Sequence, residues 1–563
     1  LHYIIALLLS FAVPTVDHGT DEKIPLRAAQ AEALVDSIGR EYYEAKFALY
    51  PAYATAKGAH RFDADLSMFA PRQVNAYIRR TRRLEQTLNS FYEDSLSMQA
   101  WIDLKALSAD MATEIFILTE LDMWHRSPRM YSDACIDGIY YLLIRPGEEG
   151  VVEAVEARLS KVPDVVAQAR RNLNDPIRLH CEVASTNLKD FAVFLEGGLE
   201  HGADIDGALI RQAVAALTGF AAYLDSLAPM ADPAFSLGRE NLITLLRTRH
   251  LIELPPESLT SYAEEVLADT QALVKEAARR SPVGVDADET AGPGPGGLTK
   301  DDIITYMYAE IESARAFVRT RDLVTLPDDE ELRVAETPAF LRSLIPGYAY
   351  MPAAPLDESQ TGFFYAPLPA VLDAGTRARY GASIRERQLG PVVSHEAFPG
   401  HHVQITRANR LPSHIRRLQE NMFTIEGWAF YCEELMAQEG YYGTDGMDRV
   451  LGGIVFRACR VIVDIKLQTG EFSLDEAVDF MVRQTGGSKD FMAREVRRYA
   501  VEPTQAMSYL IGKREIMELR KEVRNTMGEP FSLKAFHDLV LSCGSLPPQL
   551  LKTCVISKTV GRQ

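Results

Sequence analysis

The sequence predicts a mostly α protein, a large all-helical fold with one small β-hairpin. Three observations carry that prediction: apolar residues recur at helical spacing, helix-start signatures punctuate the chain, and Ala, Leu, Arg and Glu fill the stretches between them. Ala31, Leu34, Val35, Ile38 and Tyr42 follow the i, i+3, i+4 rhythm of one apolar helix face. Ser261-x-x-Glu264 and Ser473-x-x-Glu476 have the form of capping boxes at helix starts. Gly486-Gly487 then stops the second of these helices. At typical helix length the chain would hold roughly twenty or more helices.

Two stretches depart from this pattern. Residues 286–297 include Gly-Pro-Gly-Pro-Gly-Gly, a loop or boundary. As a boundary it divides an N-terminal helical half, 21–290, from a C-terminal half, 298–563. Residues 346–370 are rich in Tyr, Phe, Pro and Gly. There Tyr348-Ala349-Tyr350 and Phe363-Phe364-Tyr365 read as two short strands joined by a polar turn. The edge of such a hairpin could pair with an extended peptide through backbone hydrogen bonds.

Composition narrows the function classes. Lys plus Arg number 60 and Asp plus Glu 78, a net charge of −18, which argues against a general nucleic-acid binder. The six Cys form no C-x-x-C pair, so a cysteine-rich zinc module is not expected. Cys543 and Cys554 could close a short disulfide in an oxidising compartment. Residues 3–13 are apolar but too short to span a bilayer, and resemble the hydrophobic part of a secretory signal peptide. Residues 1–20 are therefore read as a signal-peptide remnant, although Leu1 is not Met and no basic segment precedes the apolar run. Export to the periplasm or beyond and a cytoplasmic location both stay open. No other stretch reads as transmembrane, so stable membrane insertion is not expected.

The chemistry concentrates in His395-Glu396-Ala397-Phe398-Pro399-Gly400-His401-His402, where three of the twelve histidines fall within eight residues. Neutral imidazoles are good zinc ligands, and a carboxylate beside a metal site is a good general base. Zinc peptidases usually place H-E-x-x-H on one helix, with both His on one face. Here Pro399 occupies the second His position. On a regular helix over 388–398 and beyond, His402 would lie roughly 10.5 Å further along than His395. Two ligands of one zinc need nitrogens within about 4 Å of each other. A bulge at Pro399-Gly400 could bring His401 into register, since Pro removes a backbone bond and Gly permits unusual torsions.

A catalytic zinc usually has a third protein ligand. Glu426, 25 residues after His401 and set among Ile425, Trp428, Phe430 and Tyr431, is the best candidate. Glu433, seven residues on, shares its face and could orient a ligating His. Peptide hydrolysis also needs a donor to the oxyanion, and Tyr509 and Tyr499 are the candidate phenols. Arg457 and Arg460 could grip a substrate carboxylate, but Arg460 and Asp464, four apart, read more simply as an internal pair.

The runs "HEAFPGHHVQ", "EGWAFYCEEL" and "YAVEPTQAMSYLIGKREI" resemble the signature blocks of the bacterial "domain of unknown function 885" family. "LYPAYATAKGAHRFDADLS" resembles its opening block, so the likeness spans roughly residues 28–530. That family is similar to gluzincin-type zinc metallopeptidases, and in layout to the thimet-oligopeptidase and angiotensin-converting-enzyme type. The resemblance implies an all-helical fold with a deep cleft. It implies Zn2+ on His395, His401 and Glu426, with His402 as the alternative to His401, and Glu396 as catalytic base. Gln468 stands where the family pattern has a His; Gln cannot carry a proton near neutral pH.

The expected function is zinc-dependent hydrolysis of peptide bonds in small peptides, with Glu396 as general base and a Tyr hydroxyl on the oxyanion. A helical binding protein with a vestigial metal site, and a zinc amidase or esterase acting on a non-peptide, are the alternatives.

Overall fold

The computed structural model describes residues 28–90, 93, 96–144, 149–198, 205–280, 299–328, 330–337, 347–368 and 389–560. The signal-like segment at 1–20 and the Gly-Pro stretch at 286–297 lie outside the described residues. Among those described, 22 α-helices and a three-stranded sheet make up the regular structure. The fold is therefore mostly α, as the apolar periodicity predicts.

Two large buried apolar clusters hold the helices. One runs from Val35 to Ala231 and takes in Ile415 and Leu418. The other is built mainly from Leu242 to Ile556, joined by Ile102, Ala106 and Leu179. The helix Met98–Thr119 serves both, because it is apolar nearly all round. Its Ile102 and Ala106 enter one core, and its Leu104, Leu107 and Met111 the other. Each such fully buried Leu or Ile contributes about 1.5–3 kcal/mol, so these two clusters fix the frame on which the site is built.

Helix ends follow their side-chain signals in most places. Ser473 and Glu476 form the expected capping box, and Gly486 ends that helix with φ at 70°. Ser261 does not start a helix. It lies inside the helix Pro256–Arg280, which begins five residues earlier with Pro256 at its first position and Glu257 in its first turn. Gly207–Met230 is a stretch long and apolar enough to cross a membrane by length and composition. Its Val214, Leu217, Phe220 and Leu224 are buried in the first core. Cys543 and Cys554 form a disulfide with Cα atoms 6.1 Å apart, and the other four cysteines are buried thiols.

The sheet places its strands in the order β1 (Glu331–Glu336), β3 (Thr361–Ala366), β2 (Ala349–Met351). β2 pairs antiparallel with β3, Tyr350 opposite Phe364. β1 pairs parallel with β3 and was not anticipated: its Glu-Leu-Arg-Val-Ala-Glu run is charged at both ends and has one buried side chain, Val334. β3 is thus the central strand and carries the apolar pattern, while β2 is an edge.

Candidate metal centre

Five helices meet at the site: α1 (Leu389–Glu396), α2 (His401–Asn409), α3 (Met422–Gln438), α4 (Gly446–Gln468) and α5 (Ser508–Met527). His395 and Glu396 are the last two residues of α1. The chain then breaks rather than bulges, correcting the expectation for Pro399-Gly400. The Phe398–Pro399 peptide is cis, and a new helix starts at His401. Gly400 makes this return possible. A Cβ there would lie 1.9 Å from the carbonyl oxygen of His395 and 2.4 Å from that of Ser394. Trp428 of α3 donates its indole N–H to Pro399 O at 2.9 Å and pins the break from the other side.

The reversal brings the rings of His395 and His401 to 4.8 Å between centroids, nearly perpendicular to each other. Glu426, one turn into α3, points at both. Its Oε2 is 3.4 Å from Nε2 of His395 and 3.4 Å from Nε2 of His401. That oxygen is buried and has no hydrogen-bond partner, and neither has Nδ1 of His401. Zinc–ligand bonds of about 2 Å in a tetrahedral site put ligand atoms a little over 3 Å apart. The three side chains and the orphaned carboxylate oxygen therefore fit a zinc ion. Glu396 joins the same cluster, offering a ligand atom within 4.8 Å of those of His395 and His401.

The outer contacts hold these groups in place. Nδ1 of His395 shares a 2.8 Å hydrogen bond with Oε1 of Glu433, as the shared helix face predicts, and Arg457 donates to the same oxygen at 3.0 Å. Glu396 accepts a 3.0 Å hydrogen bond from the backbone N–H of Tyr350, on the edge strand β2. α3 and α5 approach at backbone contact: a Cβ on Gly512 would sit 1.8 Å from Phe423 O, and one on Gly427 2.4 Å from the carbonyl carbon of Gly512. This contact brings Tyr509, one turn before Gly512, against His395, with the rings stacked at 6.1 Å and 15°.

Electrostatics follow from burial and neighbours. Burial alone would lower the His395 pKa, but the carboxylates of Glu426 and Glu433 outweigh it and raise it to about 10. Burial raises Glu426, yet the two imidazoles reverse that and hold it well below the ordinary carboxylate range. Glu396 is raised, chiefly by burial, with the imidazoles opposing. Burial and the Glu426 charge lift Tyr509 to about 12, so it is a neutral hydrogen-bond donor at pH 7.

A cation entering this cluster must displace the His395 proton, since a ligating imidazole is neutral. His395 holds that proton up to about pH 10, so apparent zinc affinity should rise with pH, by roughly tenfold per unit between pH 6.5 and 9. Competition with a chelator of known affinity measures this; a flat profile would contradict the arrangement.

The remaining candidates fall elsewhere. His402 is fully buried and turned away from the cluster; its Nε2 bonds Glu330 and its Nδ1 meets the Tyr350 hydroxyl at 3.1 Å. Both ring nitrogens are occupied, so His401 and not His402 faces the cluster. Accordingly His401→Ala should abolish zinc retention, and His402→Ala should keep it at about one ion per chain by elemental analysis. Tyr499 donates its hydroxyl to Glu495 at 2.7 Å, which leaves Tyr509 as the phenol beside the site. Arg460 and Asp464 do not pair. Asp464 accepts the backbone N–H groups of Thr504 and Met507, and Arg460 packs over the Tyr509 ring at 4.3 Å, with Glu495 at 4.0 Å its nearest carboxylate. Gln468 is buried and satisfied by backbone, accepting from Leu237 N and donating to Ala500 O. An amide serves there without any charge.

Two site residues escaped sequence reasoning. Tyr350 holds Glu396 through its backbone, and Glu330 joins Arg315 to His402 in a buried chain. Tyr350 lay in a strand already placed ahead of the motif. Glu330 lay in an Asp-Asp-Glu-Glu run that reads as solvated charge.

The fold is shared with two solved proteins, each described as a "putative lipoprotein", the first of them "of unknown function". One, from Shewanella oneidensis, is 21% identical with a TM-score of 0.74, covering 93% of this chain and 99% of its own. The other, from Colwellia psychrerythraea, is 18% identical with a TM-score of 0.74, covering 94% and 99%. No curated protein matches the chain. Residues 51–555 match the family described as "Bacterial protein of unknown function (DUF885)", and the chain belongs to that family.

Proposed function

We propose that this protein is a zinc-dependent hydrolase that cleaves peptide bonds in small peptides. The observation that carries the reading is the orphaned Oε2 of Glu426, 3.4 Å from Nε2 of both His395 and His401, with Glu396 alongside. His395, His401 and Glu426 would hold the ion. When bound there, zinc supplies Lewis acidity toward the carbonyl and lowers the pKa of water toward about 7.

The chain's own residues do the rest. Glu396, kept in place by Tyr350 N–H, takes the proton from the attacking water and passes it to the leaving amine. Tyr509, protonated at neutral pH, donates to the oxyanion. Glu433 keeps Nδ1 of His395 hydrogen-bonded, so that Nε2 is the ligating nitrogen. The edge strand β2 has its Tyr350 N–H already given to Glu396, so strand addition of a peptide along β2 is no part of this reading.

A location outside the cytoplasm fits this reading. The two structural relatives are each described as a "putative lipoprotein", the chain carries the Cys543–Cys554 disulfide, and an apolar segment lies at residues 3–13.

The test is digestion of a mixed peptide library by the purified protein, read by mass spectrometry. Cleavage should stop on chelation and return on adding zinc. Zinc-loaded protein that leaves every peptide intact while hydrolysing amides or esters would replace the peptide substrate with a non-peptide one.

A further inference from the structure

A recess of about 180 Å³ lies among the helices Ala28–Leu49 and Met98–Thr119 and the segment 418–421 that leads into α3. None of its lining residues belongs to the His395–His401–Glu426 cluster. Its walls are charged with both signs. Asp110, Glu114 and Glu420 line it with Lys46 and Arg249. Most of these charges are paired. Lys46 Nζ is 2.9 Å from Asp110 Oδ1 and 3.2 Å from Glu114 Oε1, and Glu420 pairs with Lys57.

Arg249 is the exception. Arg249 is exposed and lines the recess. Among the described residues its guanidinium makes no hydrogen bond and has no carboxylate oxygen within 4.0 Å. Asp110 is incomplete as well. One oxygen is on Lys46, and the other has no partner among the described residues. One recess thus holds a guanidinium and a carboxylate oxygen that form no hydrogen bond or ion pair with each other, although their charges interact.

The charge pattern selects the ligand. A guanidinium fork suits a carboxylate, which it can bind through two parallel hydrogen bonds. A plain anion would face three wall carboxylates, and a plain cation would face Lys46 and Arg249. A molecule with both charges and no net charge satisfies the two open groups together. Tyr53, Ile117 and Leu418 offer apolar surface for a side chain. We propose that this recess binds a free α-amino acid or dipeptide as its zwitterion, carboxylate on Arg249 and ammonium on Asp110. This site is independent of the hydrolytic reading, although its ligands are of the class that peptide hydrolysis releases.

Calorimetric titration of the full chain with free amino acids and dipeptides tests this directly, with N-acetylated and C-amidated forms run in parallel. At least one zwitterion should saturate, and each blocked form should bind at least tenfold more weakly. Arg249→Met should weaken binding at least tenfold, and Asp110→Asn should erase the preference for a free ammonium. No binding by any zwitterion up to about 10 mM would overturn the proposal. So would equal binding of the blocked forms, or unchanged binding to Arg249→Met, which would place the ligand elsewhere, the metal cluster included. If either variant fails to fold, the blocked ligands on the wild-type chain still decide. Free amino acids carry no peptide bond, so their titrations read no hydrolysis; failure there leaves the proposed activity standing, and loss of that activity leaves this site standing.

Discussion

Glu396→Gln should lower peptide hydrolysis by about 10²–10⁴-fold while zinc content and thermal midpoint stay at wild-type values. The amide is the same size as the carboxylate, and its oxygen can still accept from Tyr350 N–H, so the local fold keeps its anchor. What is lost is the basic lone pair that receives the proton from water. A loss of that size corresponds to about 3–5 kcal/mol of transition-state stabilisation. Steady-state kinetics on any peptide cleaved by the wild type, with metal analysis of the same sample, makes the measurement. A variant that keeps full activity would remove Glu396 from the role of base; one that loses zinc as well would make it a ligand.

The second large effect concerns the contact that assembles the site. Gly512→Ala should destabilise the protein by about 3 kcal/mol or more, because its Cβ would lie 1.8 Å from Phe423 O. The obstacle is backbone of α3 rather than a flexible side chain, so relief requires α3 and α5 to separate. Separation moves Glu426 and Tyr509, which sit on those two helices within one turn of the contact. Chemical denaturation should show the loss of stability, and zinc affinity should fall with it. A variant of normal stability and normal zinc affinity would mean that the helix contact does not set the site. Gly400→Ala tests the other half of the frame in the same way, against the carbonyls of His395 and Ser394.

Much of this was legible in the sequence because it depends on local pattern. Helical periodicity in residues 31–42 gave the helix Ala28–Leu49, whose Ala31, Val35, Ile38 and Tyr42 are buried. The His-Glu run and the Glu426 block identified the residues that come together, and the spacing of Glu426 and Glu433 put both on one face of α3. What the sequence hid is tertiary. A choice between His401 and His402 depends on which way α2 faces after the break at Pro399, and neighbouring residues on a helix point about 100° apart. Glu330 decided the matter by taking His402, and it lies 72 residues away in a stretch with no distinguishing signal. Arg460 and Asp464 illustrate the same limit. Their spacing allows a pair, but the backbone N–H groups of Thr504 and Met507 claim Asp464 first. Ser261 satisfied a capping pattern that Pro256 had already made redundant by starting the helix a turn earlier.

The most direct test of the central claim is the metal content of the purified wild-type chain after incubation with zinc and dialysis. The convergence of His395, His401 and Glu426 predicts about one tightly held zinc per chain. A chain that retains no zinc would contradict it.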